Sequence, residues 1–145
     1  MLLHVIARGK IGRTPEADMV ERYARRMATG TLGTIRVTEL PDRGGTIPPL
    51  PSGLVRTVVL DERGQQVSST EFARVLERWR DDGVREARFL IGAADGHEDA
   101  LRASADLVLG FGPMTWPHML ARVMLVEQLW RATSIAAGHP YHREG

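Results

Sequence analysis

Apolar positions along this chain fall into two kinds of run: short continuous or alternating stretches, and longer ones spaced by three and four residues. Leu2–Ala7 (LLHVIA), Leu54–Leu60 (LVRTVVL), Ala87–Ile91 (ARFLI) and Leu107–Leu109 are compact apolar segments, and Thr34–Leu40 (TIRVTEL) alternates and is β-branched; each predicts a strand. Thr14 before Pro15 and Glu16 is a cap and first-turn signature. The helix it opens runs to about Met27, with Met19, Val20, Tyr23 and Met27 on one face. Ser68 or Ser69 caps a second helix from about Thr70 to Asp82, with Glu71 placed as a capping-box partner for Ser68. Phe72, Val75, Leu76 and Trp79 form its buried stripe, and Gly83 ends it. A short helix is expected over Glu98–Ala103.

The longest helix opens at Pro117, whose missing N–H costs nothing in a first turn, and stops at Gly138 ahead of Pro140. Met119, Leu120, Val123, Met124, Val126, Leu129, Trp130 and Thr133 draw its broad apolar stripe, leaving His118, Arg122, Gln128, Arg131 and Ser134 for a polar face. About 21 residues at 1.5 Å each make it about 31 Å long, enough to cross a small domain.

Strands alternating with helices predict an α/β fold, a mainly parallel sheet flanked by helices, in a single domain over residues 1–145. Ligands of such sheets sit beyond the carboxyl ends of strands. Leu60–Gly64, Gly92–Gly96 and Gly110–Trp116 have that address. Between the second and third strands, Pro41–Gly53 carries four prolines and three glycines in 13 residues, which excludes a helix there.

Composition narrows the chemistry. The chain has no cysteine, so disulfides, thiolate nucleophiles and cysteine zinc sites are out. No run reaches the ~18 apolar residues of a membrane span, and no charged-then-apolar leader is read at the start, so a cytoplasmic protein is expected. Net charge is only +1, and any nucleic-acid contact must come from a local patch. Of 19 basic residues only Lys10 is lysine; arginine suits phosphate forks, although a GC-rich genome produces the same bias. The first quarter, with Arg8-Gly9-Lys10-Ile11-Gly12-Arg13 and then Arg22, Arg25 and Arg26, is the most basic part. It reads either as a solvated surface or as a patch for RNA phosphates.

Three segments carry candidate chemistry. Gly92–Gly96 lacks both the dinucleotide and the Walker spacings and is a weak signal. Gly110-Phe111-Gly112-Pro113-Met114-Thr115-Trp116 joins two glycines and a proline to apolar walls, a combination that suits a neutral heteroaromatic such as adenine better than a pyrophosphate. The tail His139-Pro140-Tyr141-His142-Arg143-Glu144 is dense in proton-handling and anion-binding groups. With His118 it could furnish a general base and a charge clamp. Zinc at His139 and His142 lacks a third ligand at metal spacing. His4 inside a strand reads as a satisfied core or edge histidine, and His97 beside Asp95 as a helix start.

The segments Leu90-Ile91-Gly92, Met114-Thr115-Trp116-Pro117-His118, Arg122-Val123, Glu127-Gln128-Leu129 and the ending from His139 to Glu144 resemble the bacterial RlmH family. These are the 23S rRNA pseudouridine-N3 methyltransferases of the SPOUT class, and the similarity covers nearly the whole chain. The resemblance implies a C-terminal trefoil knot, a homodimer without metal or membrane association, S-adenosylmethionine (SAM) as methyl donor, and a pseudouridine in the 23S rRNA of the assembled ribosome as target. It places the SAM site on Leu60, Gly92, Phe111, Gly112, Pro113, Met114, Thr115 and Trp116. The catalytic and RNA-facing residues it implies are His118, Arg131, Tyr141, His142 and Arg143. A SPOUT methyltransferase for another RNA such as tRNA, and a ribosome- or RNA-binding module without catalysis, are the alternatives. Two departures stand out: Ala93 occupies a position where the family commonly has glycine, and the Pro41–Gly53 loop replaces a helix.

Overall fold

A computed structural model describes residues 1–28, 30–92 and 99–143. In chain order the elements are β1 (Leu2–Arg8), α1 (Pro15–Arg26), β2 (Thr34–Leu40), β3 (Val55–Gln65), α2 (Ser69–Asp81), β4 (Glu86–Ile91), α3 (Asp99–Ser104), β5 (Leu107–Leu109) and α4 (His118–Ala136). The five strands form one sheet in the order β2-β1-β4-β3-β5, and every pairing is parallel. All strand carboxyl ends therefore lie along one edge.

Both helix caps read from the sequence form. Thr14 Oγ1 accepts from Ala17 N at 3.2 Å, and Ser68 Oγ from Glu71 N at 3.1 Å, each satisfying a first-turn donor that would otherwise be orphaned. On one face of the sheet, Leu3, Val5, Ala7, Val58, Ala87, Phe89 and Ile91 pack with Phe72, Leu76 and Trp79 of α2 and with Leu125, Val126, Leu129 and Ala132 of α4. α1 contributes less: Met27 at its end is buried, Val20 and Tyr23 are partly buried, and Met19 is exposed.

The polar face expected for α4 does not form as read. Arg122 and Ser134 are buried, each 1% exposed. Ser134 Oγ donates to Trp130 O, so its hydroxyl is satisfied inside the helix. Arg122 finds partners across the domain, as described below. α4 is consequently apolar or buried round most of its circumference.

The third strand also differs from expectation. It runs on through the predicted Asp61–Gly64 turn to Gln65, and both Leu60 and Gln65 pair with Leu109. The chain bulges between them and brings Gly64 against the β5 exit. A Cβ on Gly64 would lie 2.6 Å from Leu109 C, and one on Gly110 would lie 2.9 Å from Asp61 O. Only glycine permits this close backbone-to-backbone approach.

The opposite face of the sheet is covered by α3 and by the Pro41–Gly53 strap. Ile6, Val59 and Leu90 pack there with Leu40, Ile47, Leu101 and Ala105. Buried Arg88 holds the strap in place of helix packing, donating to Pro48 O at 2.5 Å and to Pro49 O at 2.6 Å and pairing with Glu86. Arg8 Nη1 ties its start, at 3.0 Å from Pro41 O and 2.6 Å from Gly44 O. His4 completes this polar layer, with Nε2 2.7 Å from Thr38 Oγ1 and Nδ1 3.4 Å from Glu86 Oε1.

Burial lowers the pKa of His4 from its ordinary value, with Arg88 and Arg36 acting in the same direction against Glu86. The folded state therefore binds a proton less readily than the unfolded chain. Stability is unaffected well above the ordinary histidine pKa and falls as pH drops through it. We expect the urea midpoint to decrease between about pH 7.5 and 5.5, and His4→Gln to flatten that decrease. An equal decrease in the variant would show that His4 does not cause it.

Candidate functional site

The site is built on the carboxyl edge of β4, β3 and β5. Val59 is paired with Leu90 and Leu60 with Leu109, so Leu60, within β3, stands level with the ends of β4 and β5 that Gly92 and Gly110 leave. Of the Gly92–Gly96 loop, Gly92 alone falls within the described residues; Ala93, Asp95, Gly96 and His97 lie outside them.

Gly110 N donates to Gln65 O at 3.0 Å, which starts the 110–117 loop from the β3 bulge. Thr115 Oγ1 donates to Glu62 Oε2 at 2.8 Å, and Trp116 Nε1 to Phe111 O at 3.3 Å, so the loop is tied to β3 and to itself. Beneath it Asp61 is held by the Arg63 backbone and side chain and by Arg102. Burial pushes the Asp61 carboxyl up, but these donors outweigh it and hold its pKa below the usual value.

Phe111 turns toward the core, whereas Met114 is 72% and Trp116 43% exposed. Gly112 has φ +99°, and nothing lies within 4 Å of where a Cβ would stand. The loop thus presents uncovered apolar walls beside an open, glycine-lined space. That chemistry fits the adenosine half of SAM, a flat heteroaromatic on a sugar.

The loop delivers the chain to the head of α4, beside the end of β1. A Cβ on Gly9 would lie 3.0 Å from Asp42 Oδ1, 3.2 Å from Met119 Cε and 3.6 Å from His118 Nε2. One turn on, Arg122 donates from Nη1 to Glu39 Oε2 at 2.6 Å and from Nη2 to Gly9 O at 3.0 Å. Glu39 Oε2 also accepts from Ile11 N at 2.8 Å. Burial raises the Glu39 pKa, yet Arg122, the Ile11 N–H and Lys10 together hold it below the usual value. One guanidinium therefore joins α4 to the ends of β1 and β2.

The tail forms a second cluster elsewhere on α4. Arg131 binds Glu127 Oε1 through Nε at 3.0 Å and Nη2 at 2.6 Å, and Tyr141 OH donates to the same oxygen at 3.1 Å. Arg131 Nη1 is 3.1 Å from His142 Nδ1, and its guanidinium stacks 5.0 Å from the Tyr141 ring centroid. Trp130 packs against His139 and Tyr141 at 5.9 and 5.5 Å between ring centroids. Burial, together with the Glu127 carboxylate, pushes the Tyr141 phenol up to about 12, so it remains protonated and donates. Trp130 Nε1 and His142 Nε2 are buried without a partner among the described residues. Arg143 is exposed, and Glu144 lies outside the described residues.

One chain does not unite these groups. Glu127 is nine residues beyond His118 in the same helix, which at about 1.5 Å and 100° per residue puts it about 14 Å along the axis on the opposite side. Arg131 is farther still. The sequence pattern pointed to both clusters but missed the close approach of Gly64 and Gly110 and the tie through Arg122, Glu39 and Gly9. The spacing of Glu127 and Arg131, four residues apart with the acid first, was the visible signal for the tail cluster.

The family model described as "Predicted SPOUT methyltransferase" matches residues 1–142. A protein of Novosphingobium aromaticivorans named "Ribosomal RNA large subunit methyltransferase H" is 72% identical over 145 residues, with 100% of both chains covered. One of the same name from Rhizorhabdus wittichii is 63% identical over 145 residues, again with 100% of both covered. Among solved structures, a probable methyltransferase from Bordetella pertussis superposes with a TM-score of 0.55 at 13% identity, covering 91% of this chain and 93% of its own. The SpoU methyltransferase AviRb from Streptomyces viridochromogenes, in complex with AdoMet, gives 0.50 at 14% identity, covering 95% of this chain and 59% of its own.

Because Glu39 is partly solvated, losing its cation costs less than it would for a sealed pair. We expect Arg122→Met to lower stability by about 1–3 kcal/mol in urea unfolding, more than an exposed-site control such as Arg74→Met. No difference between the two would remove Arg122 as the tie.

Proposed function

The chain belongs to the SPOUT methyltransferase family, and on that premise we propose that it methylates N3 of a pseudouridine in the 23S rRNA of assembled ribosomes, in the cytoplasm, as a pair of identical subunits. The relatives' name supports large-subunit ribosomal RNA as substrate. The observation that carries the site is the convergence of Leu60, Gly92 and the 110–116 loop on one sheet edge, with exposed Met114 and Trp116 beside a glycine-lined space. The close backbone approach of Gly64 and Gly110 is consistent with the knotted arrangement expected of the family.

In this reading Leu60, Gly92, Phe111, Gly112, Pro113, Met114, Thr115 and Trp116 hold SAM, which supplies a methyl carbon made electrophilic by its sulfonium. The residues of the chain orient the pseudouridine and accept its N3 proton, so that the nitrogen lone pair is free to form the new bond. Tyr141, with its raised pKa, serves as a donor that fixes Glu127 and Arg131. The imidazoles of His118 and His142 are left as groups able to accept the proton. Arg131 and Arg143 balance negative charge developing on the ring carbonyls or its phosphate.

A second copy supplies what geometry denies to one. His118 and the tail cluster lie on opposite sides of α4, so the tail of one subunit meets the SAM loop of the other. Exposed Trp116, Met114 and Leu120 at the head of α4, and the unpartnered nitrogens of Trp130 and His142, are the features such a pairing would cover.

The test is methyl transfer from labelled SAM to ribosomes lacking the modification, with mapping of the product. We expect label on N3 of one pseudouridine in the large-subunit RNA. Trp116→Ala should abolish SAM binding, followed by calorimetry, without unfolding the chain. Label on another RNA would replace the target assignment, and unchanged SAM affinity in Trp116→Ala would displace the cofactor site.

A further inference from the structure

Resting on that methyltransferase reading, we infer that the glycine-rich turn after β1, together with the start of the Pro41–Gly53 strap, is the seat for the sugar-phosphate backbone of the substrate RNA. Lys10, Arg13 and Arg43 are its phosphate ligands. All three side chains are exposed, and none is hydrogen-bonded or ion-paired within the described residues. They are gathered by a specific contact. Gly9 lies against Asp42 and His118, so the residues next in sequence, Lys10 and Arg43, flank the head of α4, and Arg13 follows one short turn later.

The turn is held in shape before any ligand arrives. Arg122 fixes Gly9 O, Glu39 fixes Ile11 N, and Thr14 Oγ1 donates to Ile11 O at 3.0 Å. Gly9 and Gly12 take φ +92° and +62°, conformations that only glycine adopts without strain. Arg8 ties the strap to the same strand end. Glu39 is held by Arg122 and Ile11 and also attracts Lys10, so Glu39 and Asp42 each offset only part of the seat's three positive charges. A preorganised cationic seat bordering His118 matches a polyanion whose reacting base is presented at that histidine. It also explains how a chain of net charge +1 binds RNA, since the cations are local rather than general.

The test is the triple substitution Lys10→Ala, Arg13→Ala and Arg43→Ala in the full chain. Ribosome binding is measured against salt, beside SAM affinity and methyl-transfer kinetics. Three phosphate contacts at a slope of about 0.7 to 0.9 each mean that wild-type affinity falls about twenty- to forty-fold more than the variant's over a fourfold rise in salt. The KM for ribosomes rises by at least about tenfold, while kcat at saturation and SAM affinity stay at wild-type values. The control pair Arg22→Ala and Arg25→Ala, on the exposed surface of α1, leaves the salt slope unchanged. Active wild type with an unaltered slope in the triple variant overturns the phosphate seat alone. An equal effect in the control overturns its location. Wild type that transfers no methyl to ribosomes overturns the function and this seat with it.

Discussion

A hydrogen-bonded helix holds each residue at a fixed height and azimuth, and in α4 that rigidity keeps two sets of chemically competent side chains apart. His118 follows the strand-end loop at one end, whereas Glu127, Arg131, Tyr141 and His142 assemble on the opposite side farther along. Leu125, Val126, Leu129 and Ala132 are anchored in the main core, so the helix cannot rotate to reconcile them. Deleting one such leucine side chain would cost about 2–5 kcal/mol, a large part of a small domain's stability. The proposed pairing of two copies follows from this constraint, because only a second α4 can bring a tail to a loop.

The strand-end edge is kept in register by polar ties as much as by packing. Arg122 reaches from α4 to the carbonyl of Gly9 and the carboxylate of Glu39, and that carboxylate in turn holds Ile11 N. On the far face Arg88 grips the strap through the carbonyls of Pro48 and Pro49. The strap forms no strand, so those carbonyls have no ladder partner, and a buried guanidinium with several donors suits them. The strap thereby covers that face and brings Asp42 to the head of α4.

Much of this was legible in the sequence. The alternation of Thr34–Leu40 and the apolar runs elsewhere gave the strands, and Thr14 and Ser68 gave two helix starts that form as capped ends. The loop after β5 followed from the parallel sheet alone. What failed depended on tertiary partners. Arg122 looked like a surface residue because nothing in its neighbourhood along the chain announces Glu39, which lies on another strand. Ser134 looked polar because its bond to Trp130 O is invisible to periodicity. The turn read at Asp61–Gly64 is strand instead, because Gln65 pairs with Leu109 and Gly64 packs against the backbone of Gly110, a partner distant in sequence.

The claim that the loop of one subunit works with the tail of another is tested most directly by mixing two inactive variants. One carries Trp116→Ala in the SAM loop; the other carries His142→Ala and Arg143→Ala in the tail. After subunit exchange, each mixed pair has one site with both an intact loop and an intact tail. Equal mixing should then restore about one quarter of wild-type methyl transfer, as expected for random pairing in a twofold assembly. If exchange is demonstrated and the mixture stays inactive, loop and tail act within one chain and the shared site is wrong.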